Sequence, residues 1–157
     1  AIAGTFYAYP SLQQLVGIEA TKSNTPFKRV SGWRELFQKV EQVSAHEDAI
    51  WISDSRKLLS YAHFYLSDFE SGRRLTVASF NPSGEISNHF DLLFSIPRAA
   101  DPNADYIFLS EDPRELEGCF ETVVLAERVT HEVFPTLTRE LFIYQLSGFK
   151  GYEYCSD

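Results

Sequence analysis

The chain lacks methionine altogether and carries only two cysteines and four histidines in 157 residues. Two cysteines are too few for a disulfide scaffold, and they match no zinc-ligand spacing. Cys119 and Cys155 either form one bridge in an oxidising compartment or remain two thiols, and the sequence leaves both open. No glycine-rich phosphate loop, Gly-x-Ser-x-Gly elbow or Cys-x-x-Cys pair is present. We therefore expect no cofactor, no metal site and no catalytic residue in this chain.

Long apolar runs are also missing. No window of about 18 consecutive apolar residues occurs, so nothing here is expected to span a bilayer. The first nine residues are apolar but too short to cross one, and they are either a remnant after a membrane segment or the first edge of the fold. Because a natural reading frame begins with methionine, we expect a fragment or processed product. Residues 1–30 are predicted to be a connector or juxtamembrane segment, and residues 31–157 a single α/β domain.

Positive charge is scarce in the second half of the chain. The net charge is -8, and residues 79–157 carry five Lys and Arg against fourteen Asp and Glu, whereas residues 1–78 carry nine against eight. A surface with this excess of negative charge repels phosphate backbones, so nucleic acid is not an expected partner. The same charge also serves simply to keep a domain in solution.

Hydrophobic periodicity predicts helices that alternate with short strands. Apolar residues from Trp33 to Val43 recur at helical spacing after Ser31, which is a suitable N-cap. Residues 49–52 have the composition of a short buried strand. The further predicted elements are a helix at 55–66, strands at 74–80 and 105–109, a segment at 88–94 that is ambiguous between a helical turn and irregular structure, and a helix that begins at Asp112.

The end of the chain has a different character. Residues 121–129 and 139–146 both have β-type composition, and the connection between them, residues 130–138, contains Pro135. No helix of useful length lies between these segments, so they are predicted to pair antiparallel. Together the elements predict an α/β fold: a three-layer, Rossmann-like mixed sheet with helices on both faces and a C-terminal antiparallel strand pair.

Polar groups follow three of the predicted strands, at residues 53–56, 79–81 and 110–112. Ligands of open α/β sheets bind beyond the carboxyl ends of the strands, so these groups predict a polar rim. Ser, Asp and Asn at such places also cap helices, which is the more ordinary explanation for each group taken alone. Arg56 is the residue least explained by capping and the best single candidate for an anionic ligand.

A second polar cluster surrounds His89, where an amide and a carboxylate lie close to it in sequence. A histidine in such company is a candidate for binding, although turns and helix caps produce the same cluster. We assign no catalytic residue. The candidate substrate-binding residues of the two clusters are Asp54, Arg56, Asn81, Asn88, His89 and Asp91.

Four short motifs run through most of the chain, at residues 28–36, 54–66, 87–92 and 142–149. They are similar to a helix led by Gly-Trp, a strand and helix that end in Phe-Tyr-Leu, a polar-aromatic patch and a final strand. This series resembles the C-terminal soluble domain of bacterial PMT-like membrane glycosyltransferases, the family of protein mannosyltransferases and aminoarabinose lipid A transferases.

The resemblance implies an extracytoplasmic accessory domain on the periplasmic face of the bacterial inner membrane. In such enzymes a sugar passes from a polyprenyl-phosphate donor to a lipid, glycan or protein acceptor, and the catalytic carboxylates lie in the membrane portion. The implied partners are the membrane portion of the parent chain and a lipid-linked sugar or acceptor, and the domain alone is expected to be inactive. The alternatives are a free-standing small α/β nucleotide- or sugar-binding domain that uses Asp54, Arg56, Asn81 and Asp112, and an interaction module.

Overall fold

The computed structural model describes residues 2–43, 48–68, 70, 72, 74–96 and 103–155. Its helices are α1 (Ile2–Leu15), α2 (Trp33–Val43), α3 (Arg56–Leu66), α4 (His89–Leu93) and a C-terminal 3-10 helix (Tyr152–Tyr154). Its strands are β1 (Ile50–Ser53), β2 (Val77–Ser79), β3 (Asp105–Ser110), β4 (Phe120–Phe134) and β5 (Leu137–Phe149). The strands form one mixed sheet in the order β2-β1-β3-β5-β4, which confirms the predicted α/β class.

The sheet is parallel on one side and antiparallel on the other. β1 lies parallel to both β2 and β3, so Trp51 stands between Val77 and Ile107 in the ladder. The carboxyl ends of these three strands therefore meet at one edge of the sheet, as the sequence predicted. β5 runs antiparallel to β3 and β4, which confirms the predicted C-terminal pair.

Helices α2 and α3 cover one face of the sheet because each presents a continuous apolar stripe to it. Trp33, Leu36 and Phe37 of α2 are fully buried, and they pack in one cluster with Leu58 and Ala62 of α3. The N-cap of α3 is Ser55, whose hydroxyl accepts a hydrogen bond from the backbone N–H of Leu58. Capping therefore accounts for one member of the polar group that follows β1.

The opposite face holds an aromatic cluster and no long helix among the described residues. The segment 111–119 covers part of this cluster with Leu116 and Cys119. The helix predicted to begin at Asp112 is absent, and that prediction was wrong. The segment has only nine residues to reach from β3 to β4, and the Arg114 backbone N–H donates to the Tyr144 hydroxyl (2.9 Å) instead of a helical carbonyl.

Strands β4 and β5 form a hairpin that is longer and more tightly connected than predicted. Only Pro135 and Thr136 lie between them, in place of the predicted connection of residues 130–138. The backbone N–H of Lys22 donates to the Thr136 hydroxyl at 3.0 Å, so the predicted connector contacts the hairpin end. Among the helices of the described residues, none combines the length and apolarity that crossing a membrane requires.

Candidate functional site

A cavity of about 550 Å³ opens at the carboxyl ends of β1 and β2, and we call it the carboxyl-end cleft. Asp54 borders it after β1 and Asn81 borders it after β2. Asp91 of α4 forms a further side, and Tyr152 and Cys155 close the cleft from the end of the chain. The cleft thus lies where open α/β sheets generally bind ligands.

Asp91 is the most heavily hydrogen-bonded carboxylate of the cleft. Its Oδ1 accepts from the Ser79 hydroxyl (2.5 Å), and its Oδ2 accepts from the hydroxyl (2.7 Å) and N–H (3.0 Å) of Ser87 and from the Asn88 N–H (3.2 Å). Burial opposes ionisation, but the hydrogen bonds from Ser79, Ser87 and Asn88 outweigh it and hold the pKa of Asp91 below its ordinary value. Asp91 therefore carries a full negative charge at neutral pH.

Asn88 and Asp91 also form a capping box at the start of α4. The Asn88 side chain accepts from the N–H groups of Phe90 and Asp91, and the Asp91 carboxylate accepts from the N–H of Asn88. This reciprocal arrangement satisfies backbone donors that a five-residue helix would otherwise leave open. His89, the first residue of α4, is exposed and lies with its ring 4.2 Å from that of Phe90.

Asn81 and Tyr152 meet at the floor of the cleft. The Asn81 side chain closes a turn: its Nδ2 donates to the Glu85 carbonyl (2.9 Å) and its Oδ1 accepts from the Gly84 N–H (3.1 Å). Its backbone N–H donates to the Tyr152 hydroxyl at 3.2 Å. Burial raises the pKa of the Tyr152 phenol above its ordinary value, so the hydroxyl stays protonated at neutral pH.

Asp54 lies at the point where the chain leaves neighbouring strands toward opposite faces of the sheet, a switch point of the topology. Its Oδ2 is 2.5 Å from Nη2 of Arg114, which comes from the segment after β3. Lys57 and Glu111 form a second ion pair across the same crevice. The basic side chains of Arg114 and Lys57 are therefore already neutralised.

Arg56 is placed differently from the sequence prediction. It is the first residue of α3, it is exposed, and it is not among the residues that line the cleft. Its guanidinium makes no hydrogen bond or ion pair with the part of the chain that the structure describes. A cation at a helix N-terminus is electrostatically unfavourable, so α3 itself gains nothing from this charge.

The structure thus brings together three of the six candidate residues, Asp54, Asn81 and Asp91, and leaves Arg56, Asn88 and His89 outside the cleft lining. Sequence reasoning missed Tyr152, which reaches Asn81 across 71 residues, and Arg114, which reaches Asp54 across 60. No local pattern signals such distant contacts. Arg114 lies in the segment that begins with Asp112-Pro113, which the sequence predicted to be a helix.

The cleft combines carboxylates with hydroxyl groups and aromatic rings. Asp54, Glu85 and Asp91 supply the carboxylates, while Phe80 and Tyr152 supply rings. Negative charge opposes phosphate and other anions, whereas carboxylates, amides and hydroxyls pair readily with ligand hydroxyls. The arrangement is therefore suited to a neutral, hydroxyl-rich ligand.

Neither a metal site in the described residues nor a relationship to a known protein was found. In residues 2–43, 48–68, 70, 72, 74–96 and 103–155, no three His, Cys, Asp or Glu side chains cluster as metal ligands. Comparisons with protein-family models, curated protein sequences and solved structures found no match to this chain. The geometry of the cleft and the chemistry of its lining are the observations on which a function is proposed.

Proposed function

We propose that this chain is an extracytoplasmic accessory domain of a membrane glycosyltransferase and that its carboxyl-end cleft holds a sugar of the donor or acceptor. The observation that carries the proposal is the lining of the cleft, in which carboxylates, an amide and hydroxyls adjoin the rings of Phe80 and Tyr152. Sugars present hydroxyls at their edges and C–H groups on their faces, so they suit such a mixture of polar groups and rings.

The disulfide supports an extracytoplasmic location. Cys119 and Cys155 are bridged, which selects between the two alternatives that the sequence left open. Disulfides persist in oxidising compartments and are rare where thiols are kept reduced. This location agrees with a domain that meets a polyprenyl-linked sugar outside the cytoplasm.

Exposed apolar residues next to cleft residues in the sequence support contact with the membrane portion of a parent chain. Ile86, Leu92 and Leu93 are 66%, 62% and 66% exposed, and in the sequence they adjoin residues that line the cleft. Binding to a partner would remove such side chains from water. The capping box at Asn88 and Asp91 holds this part of the chain in a defined conformation.

Electrostatics disfavour the alternative of a free-standing nucleotide-binding domain. A nucleotide needs cationic or N–H donors for its phosphates, but Glu85 and Asp91 give the cleft a negative charge that repels phosphate. The nearby cations Lys57 and Arg114 are both held in ion pairs. A sugar without phosphate avoids this repulsion.

Titration of the ¹⁵N-labelled domain tests the ligand class. Mannose, glucose, galactose and N-acetylglucosamine are the sugar probes, with UDP and inorganic phosphate for comparison. We expect at least one sugar to shift the amide resonances of Asn81, Ser83 and Asp91, and UDP and phosphate to leave them unchanged. Shifts with UDP alone would favour the nucleotide-binding alternative, and no shift with any sugar would refute the sugar site.

Three variants sharpen this titration. Glu85→Ala removes an exposed carboxylate of the cleft, and we expect about tenfold weaker sugar binding, the equivalent of one charge-assisted hydrogen bond. Glu115→Ala removes an exposed carboxylate outside the cleft and should leave binding unchanged. Arg56→Ala is likewise expected to leave sugar binding unchanged. Equal losses in Glu85→Ala and Glu115→Ala would show that the sugar makes no specific contact with the Glu85 carboxylate.

Sugar transfer is tested separately, with a polyprenyl-phosphate sugar as donor. The purified domain is expected to show no transfer, since the catalytic carboxylates of such enzymes belong to the membrane portion. Measurable transfer by the domain alone would contradict an accessory role and make it an enzyme in its own right.

A further inference from the structure

We propose that the Cys119–Cys155 disulfide is a redox switch on the carboxyl-end cleft. Reduction would release residues 151–155, the C-terminal segment, which forms one wall of the cleft through Tyr152 and Cys155. The inference rests on the proposed function only in treating the cleft as a ligand site. The release itself follows from the contacts of the segment.

Few contacts other than the disulfide hold the C-terminal segment. Lys150, just before the segment, is anchored without the bridge: its N–H donates to the Cys119 carbonyl at 2.8 Å, and its ammonium donates to the Glu117 carbonyl at 2.8 Å. Beyond Lys150, the backbone hydrogen bonds of Tyr154 and Cys155 stay within the segment. They shape the 3-10 helix without tying it to the sheet.

Tyr152 makes the remaining attachment. Its hydroxyl accepts from the Asn81 N–H at 3.2 Å and lies 3.5 Å from the Ser79 carbonyl, a long and weak contact. Its ring centroid lies 5.5 Å from that of Phe80 and 5.1 Å from that of Phe149. One tyrosine therefore docks the segment in the cleft, and the disulfide at Cys155 fixes the far end of the segment beside it.

The two sulfur atoms differ in access. Cys119 is 3% exposed, whereas Cys155 is partly exposed and lines the cleft. A thiolate from solvent can thus approach the Cys155 sulfur from the open side of the cleft and expel Cys119 as the leaving thiolate.

A protein dithiol is the reductant that this exchange requires. Its first thiolate forms a mixed disulfide with Cys155, and its second thiolate attacks its own sulfur in that bond and releases the Cys155 thiolate. Both cysteine thiolates then take up protons. In total the reductant loses two electrons and two protons and becomes a disulfide, while Cys119 and Cys155 become thiols.

Loss of the wall removes ligand-binding groups from the cleft. When the C-terminal segment leaves, the cleft loses the Tyr152 ring and hydroxyl, and the Asn81 N–H loses its acceptor. Asp54 and Asp91 stay in place because their partners belong to other segments. The oxidised protein would therefore present a complete site and the reduced protein an incomplete one.

NMR of the ¹³C,¹⁵N-labelled domain before and after dithiothreitol tests the switch without any ligand. In the oxidised protein, nuclear Overhauser contacts should join the Tyr152 ring to Phe80 and Phe149. After reduction we expect these contacts to disappear, the Tyr152 phenol to titrate at its ordinary pKa, and the Asn81 amide resonance to shift. Resonances of the central strand β3 should keep their folded positions.

Two variants complete the test. Cys119→Ser/Cys155→Ser should reproduce the reduced spectrum without dithiothreitol. Tyr152→Phe in the oxidised protein should keep the ring contacts and change only the Asn81 amide, because the disulfide still holds the segment. Retained contacts between Tyr152 and Phe80 in the fully reduced protein would overturn the switch. Loss of the folded-state resonances of β3 would also overturn it, since the bridge would then be needed for the folding of the whole domain.

These outcomes are distinguishable from a failure of the proposed function. If no sugar binds but Tyr152 leaves on reduction, the sugar site is refuted and the release stands. If a sugar binds equally to the oxidised and reduced proteins, the site stands and the switch is refuted.

Discussion

At the scale of single residues, Gly32 occupies a conformation and a space that only glycine fits. Its φ is +80°, and a Cβ built there would lie 2.2 Å from Cγ2 of Val133. The Gly-Trp pair that leads α2 was part of the resemblance seen in the sequence. In the structure it has a steric reason, because β4 passes directly over the turn that starts the helix.

Gly32→Ala should destabilise the domain by about 2–4 kcal/mol, the sum of left-handed backbone strain and overpacking against Val133. Gly17→Ala is the matched control, because Gly17 has a φ of +69° but no atom within 4 Å of its Cβ position. It should cost only the backbone strain, about 1–2 kcal/mol. Urea unfolding of the two variants measures the difference. Equal losses in the free energy of unfolding would show that Val133 of β4 moves aside for the added methyl group at no cost.

Asp91→Asn should cost about 2 kcal/mol at neutral pH, because an amide cannot accept all the hydrogen bonds that the carboxylate accepts. The folded-state pKa of Asp91 is depressed, so its stabilising contribution is present above the unfolded pKa and is lost as the pH falls through the folded pKa. The difference between wild type and variant should therefore shrink in acid.

Glu85→Gln is the control for this pH dependence, since Glu85 lines the same cleft but is exposed. Urea unfolding across pH 3 to 7 should show little difference between Glu85→Gln and the wild type. A loss for Asp91→Asn that stays constant down to acid pH would mean that hydrogen bonding to the charged carboxylate does not stabilise α4.

At the scale of elements, Arg139 fastens the turn before α2 to strand β5. Its guanidinium donates to the carbonyls of Ser31 (2.7 Å), Lys28 (2.6 Å) and Arg29 (3.2 Å) and lies 4.3 Å from the ring centroid of Trp33. Burial lowers the pKa of Arg139, yet three carbonyl acceptors and an aromatic face compensate the cation. One side chain thus sets how α2 meets the sheet.

Arg139→Lys should destabilise the domain by about 2–3 kcal/mol although the charge is kept, because an ammonium lacks the planar fork that reaches several carbonyls and stacks on Trp33. Arg128→Lys is the control: Arg128 pairs with Glu140 on the exposed edge strand, where such pairs contribute little. Thermal unfolding compares the two. Similar unfolding temperatures of the two variants would show that the planar guanidinium of Arg139 does not contribute to stability beyond its charge.

Local signals succeeded for some elements and failed for others. The apolar spacing from Trp33 onward and the apolar residues of 55–66 identified α2 and α3, because such patterns lie within the segment itself. The N-cap predicted at Ser31 was wrong, since α2 begins at Trp33 and the Ser31 hydroxyl donates to the Phe27 carbonyl at 2.9 Å. Residues 88–94 were ambiguous, since only the cap at Asn88 distinguishes a five-residue helix from a turn. The residues from Asp112 onward have the cap and proline that favour a helix start, but the backbone N–H of Arg114 donates to the Tyr144 hydroxyl and no helix forms.

At the scale of the whole molecule, the disulfide closes a loop between residues separated by 36 positions. Cys119→Ser/Cys155→Ser should lower the free energy of unfolding by about 3–4 kcal/mol, the loop entropy regained by the unfolded chain. Urea unfolding of this variant and of the wild type with and without dithiothreitol measures the loss. Equal stability of all three would mean that the bridge makes no net contribution to the free energy of unfolding.

The sequence by itself determined the class of fold, since hydrophobic periodicity, caps and the run of β-type residues at the end are local properties of the chain. It also placed Asp54 and Asn81 at the ends of strands, and Asp91 in a second polar cluster around His89. Only the tertiary structure decided that these three share a cleft, that Tyr152 and Cys155 close it, and that Arg56 stays outside. The physical reason is that the cleft is made by contacts such as Asn81–Tyr152, which form when the sheet brings distant segments together.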